Sequence, residues 1–74
     1  MKNSEDINHQ FGNELKRRRE AMKLSQREFA RKCDISFAYY GRMERGEHSA
    51  TLSLIKLIAD FLEIRISDFF IDLP

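Results

Sequence analysis

Two helix starts lie close together in this chain, and their spacing limits what it can fold into. Ser25-Gln26-Arg27-Glu28 puts a serine at an N-cap position with a glutamate three residues later. In that pattern each side chain satisfies the other residue's backbone N–H. Ser36 is a second N-cap candidate eleven residues on. The spacing predicts a helix over about 26–33, a turn of about three residues, and a second helix over about 37–45. Asp34 falls in the turn, and Asp tolerates left-handed backbone better than most non-glycine residues. Gly46 is placed to end the second helix. Phe29, Ala30 and Cys33 make the inward stripe of the first helix, and Tyr40 and Met43 that of the second.

Helical patterning continues on both sides. From Asn8 onward, Phe11, Leu15, Arg18/Arg19 and Met22 recur at three- and four-residue steps. Residues 1–7 show no such period and read as a flexible tail. Thr51 caps a further helix over about 52–62. Its polar residues Ser53, Lys56, Asp60 and Glu63 fall within an arc of about 80° at 100° per residue. Apolar side chains fill much of the rest, although a surface helix needs an apolar stripe only a little over 100° wide. Ser67 suggests a cap for a fifth helical turn in the apolar stretch Ile66–Leu73. With one proline and three glycines in 74 residues, a turn-rich β fold is disfavoured. The expected fold is all-α, with one domain over 8–74. Chains this small gain little more than about 3–5 kcal/mol from their own core. The surplus apolar face over about 52–73 therefore reads as a homodimer surface, with Leu54, Phe61, Ile64, Phe69 and Phe70 as its residues.

The formal net charge is only +1, but it is unevenly distributed. Residues 16–45 carry ten basic and four acidic side chains, a net +6. Residues 1–15 carry −2 and residues 46–74 carry −3. A basic block of this size is the electrostatic footprint of a polyanion binder, or else a solvated helical face.

Two short capped helices flanked by basic residues have the layout of a helix-turn-helix, whose second helix enters the major groove. On the outward side of that helix, Arg42 can bond guanine O6 and N7 in bidentate fashion, and Phe37 and Ala38 can meet thymine methyls. Tyr39 can offer its hydroxyl to a base or phosphate. These four are the candidate base contacts, Phe37 having a core position as its alternative and Arg42 a surface ion pair.

The stretches Leu24-Ser25-Gln26-Arg27-Glu28-Phe29-Ala30, Ile35-Ser36 and Met43-Glu44-Arg45-Gly46 resemble the phage-repressor/Cro type of helix-turn-helix, which typically reads LSQxxLA…GIS…IERG. The likeness runs from Phe11 to Phe70. Tyr39, Glu44-Arg45-Gly46 and Thr51-Leu52 further resemble the controller proteins of restriction–modification systems. The resemblance implies a five-helix lambda-repressor-like domain. It makes Gln26, Arg27, Ser36, Arg45, His48 and Ser49 candidate phosphate contacts, and Arg19 and Glu44 a structural ion pair. Glu47, by its charge, should point away from DNA. Three departures stand out: Asp34 replaces the usual turn glycine, Phe29 and Tyr40 replace Leu or Ile, and Phe37-Ala38 replaces the usual polar reader.

These features lead to a sequence-specific DNA-binding transcription regulator, a homodimer on a roughly palindromic operator, and the controller-protein resemblance implies a restriction–modification operon. A protein-interaction module such as an antitoxin is the alternative. No enzyme is expected, since no nucleophile–base pairing and no phosphate-cradling glycine loop is present. No cofactor is expected. No metal is expected either: the chain has a single cysteine, Cys33, and its histidines, His9 and His48, lie far apart in sequence. No apolar run is long enough for a membrane span, and the polar N-terminus lacks a secretory pattern, so the expected location is the cytoplasm.

Overall fold

The computed structural model describes residues 4–47 and 50–70. Among them the regular structure is all helical: α1 (Ser4–Ala21), α2 (Gln26–Lys32), α3 (Phe37–Glu44), α4 (Leu52–Leu62) and a 3₁₀ turn (Ile66–Phe70). The three α-helices after α1 start as their caps dictate. Ser25 Oγ accepts the Glu28 amide at 3.0 Å while Glu28 Oε1 accepts the Ser25 amide at 2.8 Å. Ser36 Oγ accepts from Tyr39 N, and Thr51 Oγ1 from Leu54 N.

The ends of the four α-helices are alike. Lys23, Asp34, Gly46 and Glu63 all have left-handed backbone, with φ of 60°, 59°, 74° and 59°. In each case the next residue's N–H reaches back five residues: Leu24 to Arg19 O, Ile35 to Ala30 O, Glu47 to Arg42 O and Ile64 to Ala59 O. This is the Schellman ending, which is usually completed by an apolar residue just past the turn. Leu24, Ile35 and Ile64 fill that role and pack against the core.

The core joins Phe11 and Leu15 of α1, Phe29, Ala30 and Cys33 from α2 and its cap, Tyr40 and Met43 of α3, Ile55, Ile58 and Ala59 of α4, and Phe69. Phe29 is its hub. Its ring lies 5.1 Å from Tyr40 and meets Phe61 edge-on at 5.3 Å. Large aromatics at 29 and 40 therefore fill one shared space between α2, α3 and α4.

Four expectations need correction. α1 begins at Ser4, so it takes in residues assigned to the 1–7 tail; Ile7 lies one turn before Phe11 and extends the same stripe. Met22 is 43 % exposed, because α1 has already ended at Ala21. The 3₁₀ turn is capped by Asp68, whose Oδ2 accepts the Arg65 amide at 2.9 Å, and Ser67 lies inside the turn. Phe69 is 2 % exposed and meets Phe11 edge-on at 5.0 Å, with Phe70 stacked on Phe11 at 5.9 Å. The turn covers α1 of its own chain, so Phe69 cannot reach a second copy.

Three of the four left-handed residues carry a Cβ, which costs roughly 1–2 kcal/mol per residue in that conformation. Glu63→Gly is expected to raise unfolding stability by up to about 1 kcal/mol, read by urea denaturation, because glycine adopts this backbone freely.

Candidate nucleic-acid interface

The orientation of α3 rests on one buried carboxylate. Glu44, in the last turn of α3, is 5 % exposed, and Arg19 of α1 is 8 % exposed. Arg19 Nε and Nη2 donate to Glu44 Oε2 and Oε1 at 2.6 and 3.1 Å. Its third nitrogen, Nη1, donates to the Leu24 carbonyl at 2.8 Å. Tyr40 Oη donates to Glu44 Oε2 at 2.5 Å, and Gln26 Nε2 to Oε1 at 2.9 Å. One charge thus ties together α1, the loop after it, α2 and α3. Burial pushes the Glu44 carboxyl up, but the hydrogen bonds from Arg19, Tyr40 and Gln26 outweigh it and hold the group below its ordinary value. The Tyr40 hydroxyl is shifted upward by burial and by its bond to Glu44, so it stays a donor.

Glycines bring the end of α3 against α1. A Cβ on Gly12 would meet the carbonyl oxygens of Met43 and Glu44 at 2.4 and 2.5 Å. Gly46 lies against His9, whose Cδ2 would be 2.7 Å from an added Cβ. α1 therefore acts as a rail for the end of α3.

With Tyr40, Met43 and Glu44 turned inward, α3 presents Ala38 and Arg42 to solvent. Phe37 is 43 % exposed at the start of the helix, so it is not a core residue. Tyr39 is half-buried and packs partly on the core. The Arg27 guanidinium lies over the Phe37 ring, 4.3 Å from its centroid. Lys16, Lys23, Arg31 and Lys32 are also exposed. Ser36 is exposed, with its oxygen engaged as the cap of α3.

Two candidate phosphate contacts are otherwise engaged. The Gln26 side chain turns inward to Glu44, a more demanding partner than solvent because that carboxylate is buried. Arg45 donates to Glu47 through Nε at 2.9 Å and Nη2 at 3.3 Å, both side chains being exposed. Glu47 therefore does not point away from the basic face. Its carboxyl is held low by the bond from Arg45 and, more weakly, by the charges of Arg45 and Arg42. His48 and Ser49 lie outside the described residues. Glu14 likewise pairs with Arg17 and Arg18, so part of the basic block is compensated from its own helix.

Cys33 is buried, and burial pushes its thiol up to about 11, which favours an inert packing role. Among the described residues no group of three or more His, Cys, Asp or Glu could hold a metal ion. No described helix is long and apolar enough to cross a membrane.

Residues 15–69 match the family described as helix-turn-helix. The chain belongs to the helix-turn-helix family. Among solved structures, this helix-turn-helix chain is similar to a transcriptional regulator of that family from Vibrio cholerae, with 35% identity and a TM-score of 0.85 over 97% of this chain. That match spans only 40% of the Vibrio chain. It is also similar to the restriction-modification controller protein C.AhdI from Aeromonas hydrophila, with 31% identity, a TM-score of 0.81, and coverage of 88% of this chain and 98% of that one. The clp gene regulator ClgR from Corynebacterium glutamicum shares the fold at 23% identity and a TM-score of 0.80, covering 88% of this chain and 69% of its own. Comparison with curated proteins finds no match.

Sequence reasoning paired Arg19 with Glu44 but missed Tyr40 and Gln26 as further ligands of the same carboxylate. Tyr40 lies four residues before Glu44, one helical turn away, and that spacing is the signal.

A carboxyl held below its unfolded value stabilises the fold above that value, and the contribution is lost as pH falls through the folded pKa. Wild type is expected to lose stability below about pH 4.3, the ordinary glutamate value. Glu44→Gln is expected to cost about 3–5 kcal/mol at pH 7, because it leaves the Arg19 charge unpaired, and to flatten the acid limb. Urea unfolding at pH 7 and pH 3.5 measures both.

Proposed function

We propose that this helix-turn-helix chain is a sequence-specific DNA-binding transcription regulator that acts as a homodimer. The observation that carries the reading is the outward face of α3. It offers an apolar start at Phe37 and Ala38, a guanidinium fork at Arg42 and part of Tyr39, with cations on the neighbouring helices. Such a face complements a groove lined with acceptors and methyl groups between two rows of phosphates. Arg42 reads a guanine. The Ser36 O–H and, once released from Glu47, Arg45 bond phosphates. Glu47 tempers the attraction, since any phosphate approaching Arg45 must displace a carboxylate.

The dimer surface is a second stripe on α4. Ile55, Ile58 and Ala59 are buried in the chain's own core. Leu54 and Phe61 are half-buried, and Leu57, 44 % exposed, lies between them at helical spacing. Leu54, Leu57 and Phe61 therefore face a partner, with half-buried Ile64 and Phe70 at the margin. A two-fold dimer would place its α3 helices about 34 Å apart on a roughly palindromic operator. The near-full-length match to a restriction-modification controller protein supports an operon of that kind, and DNA binding supports a cytoplasmic location.

Sedimentation tests the dimer. The chain is expected to be dimeric at micromolar concentration, and Leu57→Glu to give a folded monomer with at least tenfold weaker binding to a palindromic operator. Dimeric Leu57→Glu would exclude this surface. On the DNA side, Glu47→Gln is expected to tighten binding severalfold and to steepen its salt dependence, read by fluorescence anisotropy across a salt series.

A further inference from the structure

Phe37 and Arg27 form a unit that neither residue explains alone. An aromatic ring that opens a helix and stays 43 % exposed gains little from its own chain. Among the described residues, the Arg27 guanidinium lies over this ring, 4.3 Å from the centroid. Beside the pair runs a cleft lined by Arg27, Ala30, Arg31, Asp34, Ile35 and Phe37. The stack joins the first turn of α2 to the first turn of α3, the end of the recognition helix that lies against base edges in this motif. A guanidinium lying over an aromatic face keeps its planar fork and loses less freedom on bonding than an isolated arginine would.

Two stacked groups about 4 Å apart nearly match successive bases, which rise about 3.4 Å along a strand. An apolar ring edge is suited to a pyrimidine 5-methyl group, and an arginine fork to guanine O6 and N7. We propose that Phe37 and Arg27 together read a two-base step, a 5-methyl pyrimidine adjacent to a guanine. Arg27 is then a base reader and not a phosphate contact. The methyl group can come from thymine or from 5-methylcytosine, which present it at the same place in the major groove. This reading rests on the proposed DNA-binding function and assigns part of its specificity.

The test starts with duplexes selected by the full chain from a randomised pool. Each thymine of a selected duplex is replaced singly by deoxyuracil, which removes only the methyl group. In parallel, cytosine is compared with 5-methylcytosine at the same position. One position per half-site is expected to lose about fourfold in affinity with uracil, the worth of one buried methyl-sized group, and Phe37→Ala should abolish that difference. At the adjacent pair, 7-deazaguanine should cost wild type about tenfold and cost Arg27→Met nothing, because methionine has no N–H to give to N7.

A gain for 5-methylcytosine over cytosine supports a reader of the methyl on either base. A loss confined to the thymine–uracil exchange supports a thymine reader. No methyl effect at any position would overturn the proposal. So would an Arg27→Lys protein that matches wild type while Arg27→Ala weakens all duplexes alike with a shallower salt slope, the signature of a phosphate contact. Failure to select any duplex would instead overturn the DNA-binding reading itself, and this inference with it.

Discussion

The Glu44 carboxylate is the point on which the rest of the structure depends. A buried charge is tolerated only when its lone pairs and its counterion are supplied together. Here Arg19 gives the counterion and two bonds, and Tyr40 and Gln26 give the others. Because the donors come from α1, α2 and α3, satisfying the charge fixes the relative placement of all three helices. Arg19 also holds the Leu24 carbonyl, which anchors the loop leading into the capping box. Helices of seven and eight residues, as α2 and α3 are, are too short to hold themselves. Their geometry is imposed by this network, by the close approach at Gly12, and by the aromatic packing around Phe29.

That rigidity makes the exposed face of α3 useful. Tyr40, Met43 and Glu44 take the inward positions, leaving Ala38 and Arg42 fully outward and Tyr39 partly so. The surrounding charge is more finely balanced than the count over residues 16–45 implies. Glu14 offsets Arg17 and Arg18, Glu44 neutralises Arg19, and Glu47 occupies Arg45. Weak global attraction with a few placed donors favours discrimination among sequences over indiscriminate binding to phosphates.

Much of this was legible in the residues. Ser25 and Glu28, Ser36 and Thr51 announced three helix starts because capping is a local interaction between near neighbours. Asp34 and Gly46 announced two of the four left-handed turns. Lys23 and Glu63 did not, since neither residue type favours that backbone; only the apolar residue that follows each, Leu24 and Ile64, hints at the ending. The core stripes of α2 and α3 were legible, whereas Phe69 was misassigned to a dimer surface. Its burial depends on the 3₁₀ turn folding back to Phe11, a contact between residues far apart in sequence that no local pattern encodes. Gly12 and the Arg27–Phe37 stack were missed for the same reason: each becomes meaningful only once two helices are placed side by side.

The placement of α3 depends on Glu44 and Arg19 acting as one unit. A double-mutant cycle with Arg19→Met, Glu44→Met and the paired replacement measures this directly by urea unfolding at pH 7. Each single replacement strands a buried charge and should cost about 3–5 kcal/mol, while the double replacement removes both charges and should cost less than the sum by several kcal/mol. Additive losses would contradict the account, because they would mean that the two side chains stabilise the fold independently and that α3 is held in place by something else.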